Sequence, residues 1–248
     1  MGLRLIITRP QEDAVLLAHE LEAIGVKHLI APLMVIQESE EKPPSLAGVQ
    51  ALLLTSANGV RAFAHLSNER KLPVYAVGNA SAMAANKEGF ENIESAGGDV
   101  RDLAELVCEK LDFREGAVLH IAGSVMAGDL SGVLSQKGFN YRRLQLYHAK
   151  VVDNLPLNCV NAIKGSLVGG VVLYSPRTAK TFVNLLTKAR LENYSKQLSV
   201  FCLSEAVAAQ IVACKWKKII VAKKPDQASL IRSVKEFVTL DNFVKLEP

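Results

Sequence analysis

The stretch Ala51–Phe63, ALLLTSANGVRAF, returns later in the chain as Val171–Phe182, VVLYSPRTAKTF. With Ser56 laid on Ser175, Leu54 falls on Leu173 and Phe63 on Phe182 without a gap. Each copy is a short apolar strand that runs into small hydroxyl and turn residues and then opens an amphipathic helix. Free backbone N–H groups collect at such a helix start, and anions bind there readily. Two such turns in one chain predict a two-lobed α/β protein that grips an acidic ligand between them.

The echo reaches further. Leu17, Leu21, Gly25 and Leu33 match Leu130, Leu134, Gly138 and Leu146 at one constant offset. Val74, Ala82, Phe90 and Ile93 match Val200, Ala208, Trp216 and Ile219 at another, and Asp99, Leu103 and Val107 fall on Asp226, Leu230 and Val234. The chain therefore reads A–B–A′–B′, with A near 3–36, B near 50–112, A′ near 117–149 and B′ near 170–239. Each A holds about two strands and each B about three, so one of each makes a sheet of ordinary size. The repeat leaves open whether A pairs with B or with B′.

Strands alternate with helices throughout, which implies mostly parallel sheets with right-handed crossovers. Pro10 sits at a helix start, where its missing N–H costs nothing, and Gly25 closes that helix. Glu38–Pro44, polar with two prolines, reads as a linker. Asp99 is placed to cap a helix over Arg101–Leu111. In the last third, helices are predicted over Pro176–Lys188, Ser204–Cys214 and Asp226–Val238.

A chain of 248 residues accommodates one large domain or two of ordinary size. Its 29 basic and 25 acidic residues leave a balance too mild to argue for nucleic acid. Lys215–Lys218, interrupted by Trp216, reads as a solvated helix end before a strand. The cysteines Cys108, Cys159, Cys202 and Cys214 form no CxxC pair and lie away from histidine in sequence, as free thiols in a reducing compartment would. The opening MGLRLIITRP is too short in apolar character for a signal peptide and reads as a first strand. No run reaches membrane-spanning length. The expectation is a soluble, cytoplasmic protein without a membrane partner.

In this order of elements the chain resembles the uroporphyrinogen-III synthase family. The likeness is carried by ITRP (Ile7–Pro10), APLMVI (Ala31–Ile36), LLLTSANGVRAF, VYAVGNASA (Val74–Ala82), IAG then GDL (Ile121–Gly123, Gly128–Leu130), LQLYHA (Leu144–Ala149), YSPRTAKTF and CLSEAVA (Cys202–Ala208). The resemblance implies an α/β fold of two flavodoxin-like, doubly wound parallel-sheet lobes, interleaved in sequence. Residues 1–35 with 150–248 would form one lobe and 38–146 the other. A short two-stranded linker, near 33–37 and 144–148, would join them. It also implies cyclisation of hydroxymethylbilane to the type III macrocycle, with the last pyrrole ring inverted and water lost, and no metal or organic cofactor. That linear tetrapyrrole carries many carboxylates, and the preceding pathway enzyme is a candidate to deliver it. A monomer is expected.

Loss of the hydroxymethyl oxygen as water asks for a proton donor. Tyr147, matching the tyrosine of the family's crossing-strand motif, is the candidate; a half-buried strand tyrosine is the plainer account of it. Arg9 after the first strand could pair with a substrate carboxylate or serve as a surface arginine, and Thr8 beside it could assist or simply end the strand. Thr55, Ser56 and Asn58 at the first loop-to-helix turn offer donors, as do Ser175 and Arg177 at its echo; capping also explains the serines. Gly78 and Ser81, and Ser204, sit at the matching turns after the next strands, with Glu205 weakening the last assignment. Gly123 and Ser124 end another strand. There the family often has an arginine that this chain lacks, so either another residue supplies the cation or backbone amides suffice. His120, His148 and Lys150 fit ordinary strand and loop positions equally well.

Rival chemistries lack their signatures. TRPQED is no GxGxxG dinucleotide fingerprint, there is no GK[S/T] phosphate loop, and strand ends lack the clustered acids of a phosphoacceptor domain. The alternative that remains is a non-catalytic two-lobed binder of an acidic small molecule.

Overall fold

The computed structural model describes residues 3–39, 44–125 and 128–244. In chain order its elements are β1 (Arg4–Ile7), α1 (Gln11–Ala23), β2 (Lys27–Ile30), β3 (Met34–Glu38), β4 (Val49–Leu54), α2 (Ala57–Leu66), β5 (Val74–Ala76), α3 (Asn79–Lys87), β6 (Ile93–Ser95) and α4 (Val100–Lys110). They continue with β7 (Ala117–Gly123), α5 (Leu130–Gln136), β8 (Asn140–Val151), α6 (Leu157–Lys164), β9 (Gly170–Leu173) and α7 (Pro176–Lys188). A 3-10 helix at Glu192–Gln197 leads into β10 (Ser199–Cys202), α8 (Glu205–Ala208), β11 (Lys218–Val221) and α9 (Gln227–Val244). Residues 40–43 of the expected linker lie outside the described residues.

The elements fall into two compact units. One takes the described residues up to Val35 and from Lys150 onward; the other takes Ile36 to Ala149. The chain passes from one to the other within β3 and again near the end of β8.

In the first unit the sheet order is β11-β10-β9-β1-β2, with parallel neighbours throughout. In the second it is β3-β8-β7-β4-β5-β6, parallel from β8 to β6. So β1 pairs with β9 and β4 with β7. The strands of A continue into those of B′, and the strands of A′ into those of B. Leaving out the edge strand β3, both sheets then have the same order of repeat units.

Side-chain alternation along each strand feeds a core on both faces of its sheet. In the first unit Ile6, Val171 and Val200 pack toward Phe182 and Ile163, while Leu5, Ile7, Val172 and Phe201 pack toward Leu17, Leu21, Leu230 and Val234. In the second, Leu52, Leu54 and Ile121 meet Val60 and Phe63, and Ala51, Leu53 and Val118 meet Leu103, Val107 and Leu134. Strands covered on both faces are the condition for a parallel sheet, and they explain the near-continuous apolar runs.

Helix starts follow local chemistry. Pro10 and Pro156 precede α1 and α6. Asp99 and Asp102 form a capping box on α4. Asp226 accepts from the Ser229 N–H at 2.7 Å where α9 begins.

One expectation fails. The helix foreseen over Ser204–Cys214 is only Glu205–Ala208. Beyond it the backbone closes short i→i−3 turns, from Gln210 N–H to Val207 O and from Ile211 N–H to Ala208 O. Trp216 folds back to donate from Nε1 to Ile211 O at 2.7 Å and stacks on Phe182. The Ile211 carbonyl, which a continuing helix would offer to the Lys215 N–H, instead accepts from the indole, and Val207 and Ile211 pack with that ring in one core. Lys215 and Lys217 therefore lie in irregular chain rather than at a helix end. Among the described residues, no helix is long and apolar enough to cross a membrane.

Candidate functional site

The C-terminal ends of β4, β7 and β8 gather the polar residues of the second unit. Ser56 caps α2, its Oγ accepting from the Gly59 N–H at 3.0 Å. The same oxygen lies 2.7 Å from the Tyr147 hydroxyl, and either group can donate. Tyr147 is 8% exposed, so its ring is packed.

Two features hold the ring there. The β7–β8 register slips between Ala122 and Gly123: Ala122 faces Gln145, yet Gly123 faces Tyr147. The extra β8 residue turns the tyrosine onto the face of Gly123, a re-aiming that bulges commonly perform. Gly123 then supplies the room. A Cβ built there would stand 2.5 Å from Tyr147 Cζ, so the ring occupies the space a side chain would need.

Thr55 precedes Ser56, and its Oγ1 lies 2.9 Å from His120 Nε2. The other ring nitrogen, Nδ1, lies 2.5 Å from the Tyr141 hydroxyl. His120 is buried within β7, where every position is buried. Burial first, and then the positive charge of Arg143, brings its pKa down to about 4, so it is neutral near pH 7. This hydroxyl–imidazole–phenol chain went unread in the sequence. A lone histidine inside AVLHIAG was its one visible sign, since an apolar strand buried on both faces tolerates such a group only with partners.

At the end of β7, Ser124 is exposed and its N–H donates to Tyr147 O at 3.0 Å. That amide is thus committed to the fold. A cation does stand nearby: Arg143 Nη2 donates to Gly123 O at 2.6 Å from the neighbouring strand. Met126 and Ala127 of the same stretch lie outside the described residues. Asn58 accepts from Arg61 Nη2 at 2.5 Å in the first turn of α2. His148 meets Gln145 at 3.2 Å, away from the Ser56 pair.

The first unit repeats the capped turn. Ser175 caps α7, its Oγ accepting from the Thr178 N–H at 3.1 Å and lying 2.9 Å from Thr178 Oγ1. Arg177 lies exposed in the first turn of that helix. Thr8 is buried, and its hydroxyl donates to Val172 O at 2.9 Å, tying β1 to β9.

Arg9 is held by a network of its own. Nη2 pairs with Asp13 Oδ2 at 2.8 Å, Nη1 donates to Gln227 Oε1 at 2.7 Å, and Cζ lies 4.2 Å from the centre of the Tyr174 ring. Tyr174 O–H donates to the same Gln227 oxygen at 3.1 Å, and burial raises that phenol far above its usual pKa. These contacts join α1 and α9 to the ends of β1 and β9. Gly78 and Ser204 occupy the N-caps of α3 and α8 without a side-chain capping bond, and Ser81 is buried within α3. Of the four matched turns, then, Ser56 and Ser175 carry side-chain caps. Ser56, Gly123 and Tyr147 are brought into one cluster.

Known proteins resemble this chain in sequence and in fold. The family described as Uroporphyrinogen-III synthase HemD matches residues 16–232. The porphyrin biosynthesis protein HemD of Ruminiclostridium josui is 22% identical over 251 residues, covering 95% of this chain and 48% of that protein. The chain thus spans about half the length of that relative. The uroporphyrinogen-III synthase of Chlorobaculum parvum is 24% identical over 207 residues, covering 76% of this chain and 81% of the relative. Among solved structures, uroporphyrinogen-III synthetase from Helicobacter pylori superposes with a TM-score of 0.63 at 16% identity, covering 95% of this chain and all of that one. A mutant uroporphyrinogen III synthase from Thermus thermophilus does so with a TM-score of 0.56 at 15% identity, covering 97% of this chain and all of that one. At such identities the structural likeness is one of fold.

Proposed function

Since the chain belongs to the uroporphyrinogen-III synthase family, we propose that it cyclises hydroxymethylbilane to uroporphyrinogen III, inverting the last pyrrole ring and releasing water. The observation that carries the chemistry is the buried Tyr147 phenol, hydrogen-bonded to Ser56 at the end of β4 and seated on Gly123. Protonating a leaving hydroxymethyl oxygen is within reach of a phenol, which does so without first bringing a charge into the site. Ser56 holds that phenol while it caps α2, so the donor is aimed before substrate arrives. The pyrroles are electron-rich and close on themselves once held in a folded geometry, which makes positioning the main task of the protein.

The substrate's carboxylates need donors more than they need metal. The capped starts of α2 and α7, the hydroxyls of Thr55 and Ser175, and the guanidinium groups of Arg143 and Arg177 supply them. Arg9 and Thr8 serve this reading as residues that also brace the β1 end through their bonds within the first unit. Gly78, Ser81, Asn58, Ser124 and Ser204 remain secondary contributors. In both sheets the shared order of repeat units is that of a flavodoxin-like lobe, which supports two such lobes interleaved in sequence. The same reading takes the protein as a cytoplasmic monomer that receives its substrate from the preceding enzyme of the pathway.

The test is a coupled assay. Hydroxymethylbilane is generated in situ, the protein is added, the product is oxidised, and type I and type III uroporphyrins are separated chromatographically. Catalytic excess of type III is expected. Type I alone, at the spontaneous rate and with folded protein, would replace the synthase by a binder of an acidic small molecule.

A further inference from the structure

His120 has no place in the chemistry above, yet both of its ring nitrogens are bonded inside a strand that is otherwise apolar. A neutral imidazole offers one N–H and one lone pair, and two arrangements satisfy its neighbours. In the first, Thr55 donates to Nε2 and Nδ1–H donates to Tyr141. In the second, Tyr141 donates to Nδ1 and Nε2–H donates to Thr55 Oγ1. A phenol is a far stronger acid than an aliphatic alcohol, so the lone pair goes to Tyr141 and the second arrangement prevails.

A Thr55 oxygen that accepts from Nε2–H keeps its own proton for something else. Among the described residues, His120 is the hydrogen-bond partner of that hydroxyl. Thr55 is half-buried at the end of β4, directly before the Ser56 cap. We infer that Tyr141 and His120 are positioning residues, which fix the imidazole as its Nε2–H tautomer so that Thr55 presents its hydroxyl proton to a carboxylate of the substrate. The inference rests on the synthase reading for the identity of that carboxylate, but the tautomer itself does not depend on substrate. The groups facing the ring are Thr55 from β4, and Tyr141 and the cross-strand Arg143 from β8. All three are neutral or cationic, so no carboxylate among them draws a second proton onto the ring.

Two measurements on the full chain test this. In ¹⁵N-histidine-labelled protein without ligand, long-range ¹H–¹⁵N correlation at pH 7 is expected to show His120 as the Nε2–H tautomer, its signal assigned by its loss in His120→Gln. The Nδ1–H tautomer would overturn the inference. In the coupled assay, Tyr141→Phe and Thr55→Val are each expected to raise KM for hydroxymethylbilane about ten-fold, the worth of a hydrogen bond to a charged group, with kcat within about two-fold. The double variant should be no worse than Thr55→Val alone, because both remove the same donor. His120→Gln keeps an N–H toward Thr55 and should lie closer to wild type than His120→Leu. A role in packing alone would lower stability in these variants and leave KM unchanged, and that result overturns the inference. Wild-type protein yielding only type I product would instead remove the synthase reading, while the tautomer is still decided by the spectrum.

Discussion

Tyr147 and Gly123 work as a pair, and each can be removed without touching the other's chemistry. Tyr147→Phe keeps the ring and deletes the hydroxyl that meets Ser56. Turnover in the coupled assay is expected to fall by about 10²-fold, the usual scale for losing a general acid, with stability lowered by about 1 kcal/mol. Gly123→Ala leaves the phenol intact but places a methyl within 2.5 Å of its ring carbon, so the ring must move. A comparable loss of turnover is expected, with about 1–3 kcal/mol of destabilisation in urea unfolding. Wild-type turnover in Gly123→Ala would show that the position of the ring is immaterial. His120 bears on acid stability. Its folded pKa, about 4, lies below the ordinary histidine value of 6.5, so between these values the unfolded chain takes up a proton that the folded one refuses. This contribution is present above the unfolded pKa and is lost as pH falls toward the folded one, amounting to about 3 kcal/mol. Urea unfolding of wild type and His120→Gln at pH 7 and pH 4.5 checks the sign: the variant should lose less stability on acidification.

The two capped turns look alike in sequence and differ in what their serines hold. Ser175 satisfies the Thr178 amide and hydroxyl, both within its own helix start. Ser56 satisfies the Gly59 amide and also the Tyr147 phenol from another strand. Replacing either by alanine is expected to cost about 1 kcal/mol through the lost cap. Ser56→Ala should further lower turnover, because Tyr147 loses its partner; wild-type turnover in Ser56→Ala would separate Ser56 from the site. The serines were legible because a cap is a local device, readable from one hydroxyl before an apolar helical pattern. α8 was not legible for the opposite reason. Glu205–Ala208 stops where Trp216, far along the chain from its stacking partner Phe182, takes its place in the core.

The second unit is one continuous run of chain, whereas the first is assembled from both ends. A fragment of residues 34–151, which keeps β3 and all of β8, is therefore expected to fold alone, giving a cooperative urea transition and α/β circular dichroism. The first unit cannot be excised as one segment. A non-cooperative transition for 34–151 would show that the second unit needs the rest of the chain.

Strand–helix alternation, the A–B–A′–B′ repeat and the capped serines could be read directly, because periodicity and capping act over a few residues. Which repeat units share a sheet was left open by the repeat, since A is equally compatible with B and B′ along the chain. The β1–β9 and β4–β7 pairings resolve it, through contacts between residues far apart in sequence. The same limit hid the finer parts of the site. Tyr147 faces Gly123 because β8 carries one extra residue against β7, and His120 finds Thr55 and Tyr141 because β7 lies between β4 and β8. Amino-acid order dictated which segments form strands and helices, while neighbour and register across the sheet were decided by long-range packing, where a one-residue slip re-aims every side chain beyond it.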